Sequence, residues 1–236
     1  MTSHRGKREA NRRQIRQDLA FSAVRLFDQE GFDETTVDEI VSEAGVSRRT
    51  FFRHFPTKAD VVFYDHEERL SLIEEALSRL GSDQPTLAAL SELTEAIVPT
   101  FTEPEAFFLT RHSVLRANEA LRQREQAIGL AYTRILARFL APRLAFHSQG
   151  KLLADVVAGA TVIVFNRAQY EWASSGGATD PFSATKSGMA LLSEVFARVV
   201  EPDQVSASGQ PTLVVISRDG LVQPDILERL GRALAD

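Results

Sequence analysis

The chain has 236 residues, 44% of them hydrophobic, which is enough for a sizeable core in one or two domains. It contains no cysteine, which excludes disulfides, thiolate zinc sites and cysteine redox sensing and permits a reducing compartment. The net charge of −5 is uneven: residues 1–60 hold 11 Lys/Arg against 10 Asp/Glu, so the acidic excess lies wholly beyond them.

No apolar run reaches transmembrane length, and the basic N-terminus lacks the apolar stretch of a signal peptide. A cytoplasmic location without a membrane partner is therefore expected. Residues 1–16 carry Arg5, Lys7, Arg8, Arg12, Arg13 and Arg16 against Glu9 alone. Such an arm can track phosphates or reach into a minor groove; a solubilising tail is the plainer alternative. Ile15, Leu19, Ala23, Leu26 and Phe27 then recur at helical spacing up to Gly31, which predicts the first helix of a head.

Residues 35–58 predict two short helices and a tight turn. Val37, Ile40, Val41 and Ala44 form one apolar stripe, and Thr36 with Glu39 is a capping-box pattern. Gly45 can end that helix in the left-handed conformation, and Ser47 caps the next. Phe51 and Phe55 point back towards the first of the pair, while Arg49, Thr50 and Arg53 point roughly away. An aromatic anchor on one side and guanidinium groups on the other suit a helix that reads the major groove, where Arg can bridge O6 and N7 of guanine. The stretch therefore reads as a helix-turn-helix with its second helix as reader. An ordinary helical hairpin with a solvated arginine face is the alternative.

From Gly31 onward, GF-x-x-TTVDEIVSEAGVSRRTFFRHFPTK resembles the DNA-binding domain of the TetR family of bacterial transcriptional regulators. The likeness is close over about the first quarter of the chain; beyond it only the helical layout is similar. It implies a homodimer with two reading heads, a double-stranded DNA operator, and a C-terminal helical domain that senses a small molecule. By position, Thr36, Ser47, Arg48, Arg49, Thr50, Phe52, Arg53, His54 and Lys58 match places where family members touch DNA. One departure is Phe52, where the family commonly has Tyr; a phenolic contact to phosphate is missing, and His54 or Arg53 is the expected substitute.

The body follows. A long helix over 58–80 is expected to join head and body as a lever. A helix over 86–98 precedes Pro99 and Pro104, and residues 105–146 are helical with a break expected near Gly129. Residues 151–174 and 182–200 give two further helices. The first of them carries Ala154, Ala158, Gly159 and Ala160, which favour close helix approach and a dimer interface formed as a four-helix bundle. Residues 201–211 read as a linker, 212–216 as a β-branched strand, and 224–235 as a short helix. The fold expected is all-α, with a three-helix head over 1–60 and a ligand-binding and dimerisation domain over 61–200. A strand-helix extension over 201–236 completes it.

Enzyme readings fail on the residues. His66-Glu67 begins like a zinc-protease motif, but Leu70 occupies the second ligand position. The five histidines lack ligand spacing, and no Gly-rich phosphate loop or G-x-S-x-G turn occurs. No metal and no cofactor is expected. Polar residues amid apolar helix, His112, Asn118, Tyr132 and Asn166, together with Phe108 and Phe165, point to an elongated, mostly apolar pocket for a small lipophilic effector; that each phenylalanine simply fills the core is the plainer alternative. The function expected is a repressor released from a pseudo-palindromic operator by that effector. The alternative is an effector-independent architectural or occlusion protein, for which a sealed body would speak.

Overall fold

In the computed structural model, which describes residues 2–81 and 84–200, every regular element is helical. Helix α1 (Thr2–Glu30) is 29 residues long and takes the basic arm into itself instead of leaving it extended. Gly6 opposes helix most strongly there, and Thr2, Ser3, His4 and Asn11 favour it little, whereas the Arg, Lys, Glu, Gln and Ala among them favour it. The helix ends at Gly31, whose φ of 94° suits a residue without Cβ and whose N–H reaches Phe27 O at 3.0 Å.

Helix α2 (Val37–Glu43) starts on the expected capping box. Glu39 N–H donates to Thr36 Oγ1 at 3.3 Å, and Thr36 N–H donates to Glu39 Oε2 at 2.7 Å. Gly45, at φ 65°, turns the chain, and Ser47 Oγ accepts Thr50 N–H at 3.1 Å to cap α3 (Arg48–His54). Phe51 and Phe55 are fully buried against Leu19, Ala23, Val24 and Ile40. Each such burial contributes about 1.5–3 kcal/mol, so the aromatic pair fixes how α3 sits on α1 and α2.

The helix expected over 58–80 is not continuous. It divides into a 3-10 turn (Ala59–Phe63) and α4 (His66–Arg79). The reason lies far away in sequence. Arg16 Nε and Nη2 donate to Tyr64 O at 3.1 and 2.5 Å, and Arg111 Nε donates to Val62 O at 2.9 Å. Carbonyls turned out towards guanidinium groups are turned away from the helix axis, and the regular ladder stops there.

Helices α5 (Thr86–Ile97), α6 (Pro99–Thr102) and α7 (Glu105–Ala117) follow. The expected break near Gly129 falls elsewhere: the chain divides at Asn118, whose Oδ1 accepts Leu121 N–H at 3.1 Å and caps α8 (Glu119–Arg143). Gly129 lies inside α8. Helices α9 (Gly150–Ser174) and α10 (Pro181–Val200) pack on one another, and α9 also on α8. A Cβ at Gly188 would meet Val164 Cγ1 at 2.5 Å, so the glycine is what lets α10 lie so close to α9. By length and composition α9 could cross a membrane, contrary to the expectation that no run is long enough. In the fold its Ala154, Val157, Ala158 and Phe165 belong to the core of the body.

One core spans head and body. Phe107, Phe108, Val114 and Leu115 of α7 and Trp172 of α9 join the buried residues of α1, α2, α3 and the 3-10 turn. Phe21 stacks on Phe107 at 4.3 Å, and Tyr64 meets both rings edge-on. A boundary at residue 60 is therefore crossed by continuous packing, and α7 attaches the head as well as α4. A second core fills the space among α4, α5, α8, α9 and α10. The linker, strand and helix expected after residue 200 lie outside the described residues.

Candidate nucleic-acid interface and ligand cavity

The face of α3 opposite Phe51 and Phe55 exposes Arg48, Arg49, Phe52 and Arg53. Arg48 pairs with Asp38 at 2.8 Å and lies 5.3 Å from the Phe52 ring centre. Neither Arg49 nor Arg53 has an ion-pair or hydrogen-bond partner among the described residues, so both forks are open to an acceptor. Ser47 Oγ and Thr50 Oγ1 sit 3.0 Å apart at the start of this face, and Thr36 stands exposed at the start of α2. Open guanidinium groups on a rigid helix of two turns can meet base edges, with hydroxyls beside them for phosphates.

Two residues expected on this face are placed differently. His54 is 9% exposed, and both its ring nitrogens are covered and without partners among the described residues. Burial, then the charges of Arg53, Arg16 and Arg12, pushes its pKa below the ordinary imidazole value. A neutral, covered ring does not substitute for the missing phenol; of the two residues considered for that contact, only Arg53 is free. Lys58 Nζ donates to Phe32 O at 2.5 Å, Thr35 O at 2.7 Å and, more weakly, Asp33 O at 3.4 Å. The ammonium lies 4.4 Å from the Phe32 ring centre. The ammonium is held to the α1–α2 loop chiefly by the carbonyls of Phe32 and Thr35 instead of standing free for phosphate.

In the body, a cavity of about 660 Å³ lies among the 3-10 turn and α4, α6, α7, α8 and α9. Phe101, Tyr132, Val162 and Asn166 are shared with a small apolar recess of about 40 Å³, which runs on to Ile97, Leu136 and Phe165. Of the residues singled out from sequence, Phe108, His112, Tyr132, Phe165 and Asn166 all line one chamber or the other. Asn118 lines neither, because its side chain caps α8.

The larger chamber is less apolar than expected. Arg69, Arg111, Arg116 and Arg167 line it against Asp65 and Glu125, an excess of two positive charges in an acidic chain. Arg69 is 6% exposed; it pairs with Asp65 at 2.6 Å, donates to Thr100 O, and lies 3.9 Å from the Phe101 ring centre. His66 Nδ1 and Tyr132 Oη are 3.1 Å apart. Burial lowers the pKa of His66 and pushes the Tyr132 phenol up to about 12, so both are neutral near pH 7. His112 is shifted down likewise, by burial and then by Arg116, and its Nε2 stands 3.3 Å from Ser174 Oγ. Arg69 and Arg111 were not among the expected site residues. The available signal is positional: Arg69 shares the buried face of α4 with Ile73 and Leu77, and Arg111 that of α7 with Phe108 and Leu115.

Known proteins resemble the chain in two ways. A family model for bacterial regulatory proteins of the tetR family matches residues 22–64, from within α1 past the 3-10 turn. The chain is 28% identical over 122 residues to MftR of Mycobacterium tuberculosis, named as a regulator of mycofactocin biosynthesis; the match covers 51% of this chain and 61% of that protein. It is 38% identical over 71 residues to the helix-turn-helix regulator TcmR of Streptomyces glaucescens, over 30% of each chain. The chain thus spans less than two thirds of either curated relative. In three dimensions it is similar to the Thermus thermophilus repressor FadR solved with lauroyl-CoA, with a TM-score of 0.54 and 23% identity. That likeness covers 84% of this chain and 99% of FadR, and it shows a shared fold.

Proposed function

The chain belongs to the TetR family of bacterial transcriptional regulators, a family without enzymatic activity, and from that we propose a ligand-responsive repressor that binds its operator as a dimer. The observation that carries the DNA-binding half is the exposed face of α3, where Arg49 and Arg53 stand unpaired on a helix locked by Phe51 and Phe55. Two copies of one reader related by a two-fold axis require a pseudo-palindromic operator.

The dimer contact follows from α9 and α10. Val156, Ile163 and Tyr170 are exposed at seven-residue spacing on α9, Ile163 to 70%, and Leu191 on α10 is 62% exposed. Apolar residues repeating every seven positions suit helix-on-helix packing, and pairing α9 and α10 with their copies covers them.

The effector half rests on the cavity. An architectural protein needs no chamber of about 660 Å³ opening into an apolar recess. A lipophilic body lying in the larger chamber along Phe101, Tyr132 and Val162 fits the chemistry of those walls, with only its tip entering the recess of about 40 Å³. The lauroyl-CoA held by the Thermus repressor supports the same class. The chamber is bounded by Phe63, Asp65, His66 and Arg69, the residues that connect head to body. Occupancy that favours one arrangement of these residues shifts the spacing of the two heads, by as much as the effector's affinity differs between the arrangements. The test is selection of bound sequences from random duplex DNA with purified protein, followed by titration with acyl-CoA thioesters, fatty acids and aromatic compounds. A pseudo-palindrome released by a lipophile is expected. Enrichment of no sequence refutes the reader, and a selected operator that no lipophile releases refutes the sensor.

A further inference from the structure

We propose that Arg111 is the anchor for an acidic group on the effector, a carboxylate or a phosphate, so that the ligand is an amphipathic anion and not a neutral lipophile. This rests on the effector reading given above and narrows it. Four arginines line the chamber, and three of them already have a carboxylate: Arg69 has Asp65, Arg116 has Glu125, and Arg167 has Glu171. Arg111 has none among the described residues. Its single hydrogen bond there is from Nε to Val62 O at 2.9 Å, which leaves Nη1 and Nη2 without acceptors.

The surroundings define what Arg111 can accept. Its guanidinium carbon lies 5.2 Å from the Phe63 ring centre and 5.8 Å from that of Phe108, so aromatic rings stand close beside the group while its terminal nitrogens stay uncommitted. The residue is half-buried on the apolar face of α7, where an uncompensated cation is unfavourable and a counter-ion is worth more than on an open surface. Two parallel N–H groups match the paired oxygens of a carboxylate or phosphate. The wall beyond Arg111 changes character through Phe108, Phe101 and Tyr132 to the recess at Phe165 and Leu136. A polar end at Arg111 and an apolar end at Phe165 ask for one molecule carrying both.

The same residue links the site to the reader. Arg111 grips the carbonyl of Val62, a fully buried member of the core that the head shares with α7. An anion on its terminal nitrogens pulls on a side chain whose Nε is fastened to the 3-10 turn.

Trp172 is the only tryptophan of the chain and lines the chamber, so its fluorescence reports occupancy without a label. The probes are dodecanoate, lauroyl-CoA and methyl dodecanoate, titrated into the full chain and into Arg111→Gln, Arg111→Lys and Arg79→Gln. Either acid-bearing probe is expected to bind the unaltered chain roughly tenfold to a hundredfold more tightly than the ester, as a charge-assisted hydrogen bond warrants. Arg111→Gln should reduce that preference to near unity while leaving ester affinity unchanged. Arg111→Lys should keep part of it, and Arg79→Gln, which alters an exposed arginine of α4 that pairs with Glu75 away from the chamber, all of it. Preference for dodecanoate identifies a carboxylate as the group held, and preference for lauroyl-CoA alone identifies a phosphate. Equal binding of acid and ester by the unaltered chain overturns the proposal and leaves a lipophilic effector standing. Equal loss of acid and ester binding in Arg111→Gln overturns it too, in favour of a structural role for the residue. If no probe changes either the fluorescence or operator affinity, the effector reading itself fails, and this inference with it.

Discussion

Replacing Lys58 by Met keeps most of the side chain's length and apolar stem and removes only its ammonium. If Lys58 holds a phosphate, DNA affinity falls uniformly and the salt dependence of binding loses about 0.9 from its logarithmic slope per subunit. The structure leads to a different expectation. The ammonium donates at 2.5 and 2.7 Å to the carbonyls of Phe32 and Thr35, while the 3.4 Å contact to Asp33 O is too long to count for much. Hydrogen bonds involving a charged group are worth about 1.5–3 kcal/mol each, and the cation–ring contact adds about 0.5–1 kcal/mol. These terms share one group and do not add fully, so the expected loss is about 3 kcal/mol. Urea denaturation should show a lower midpoint. Operator binding by the folded variant, measured by fluorescence anisotropy over a range of salt concentrations, should keep its slope. An unchanged midpoint with a reduced slope would refute the reasoning and return Lys58 to the phosphate backbone.

Arg49→Ala should relax the base preference at one position of each half-site, at about 1–3 kcal/mol, as read from affinities for single-base operator variants; an equal loss on every sequence would mean a phosphate contact instead. His54 titrates below the ordinary imidazole value of 6.5, so the unfolded chain takes up the proton first as pH falls. Stability from this residue is therefore complete above that value and is lost as pH falls through it towards the folded pKa. His54→Phe should flatten the stability profile in that window, and an unchanged profile would leave His54 without this role. Both amide atoms of Gln169 are covered and unpaired among the described residues, so Gln169→Leu should raise the melting temperature by removing a cost of about 1–3 kcal/mol. A lowered melting temperature would show that the amide has a partner.

What the sequence makes legible is local. The capping box at Thr36, the turn at Gly45 and the cap at Ser47 are written within ten or so residues of where they act, and they stand where expected. The apolar stripes likewise place Phe51 and Phe55 inward. What escapes is settled by partners distant in the chain. The helix over 58–80 has adequate periodicity, yet Arg16 and Arg111 interrupt it from 48 and 49 residues away. Lys58 looks like a solvent-facing cation until the loop carbonyls are folded around it. Asn118 reads as a buried polar group awaiting a ligand, and only the folded backbone shows that its side chain caps α8. Arg69 and Arg111 occupy apolar-face positions, which is a readable signal, but it reveals a buried cation and not what the cation will meet.

The core that runs from Phe51 through Phe21 and Phe107 to Trp172 has a consequence for how such proteins exchange parts. A chain cut after residue 60 and joined to another sensing body would present Phe21 and Val24 to a foreign surface, with Tyr64, Phe107 and Leu115 left behind on the discarded half. The reader therefore shares its core with the sensing body. The packing that holds the head also includes the 3-10 turn, α7, Leu121 at the start of α8 and the end of α9 that carries Trp172. Because Arg111 sits on that same α7, whatever carries the reader into a new protein carries part of its sensor too.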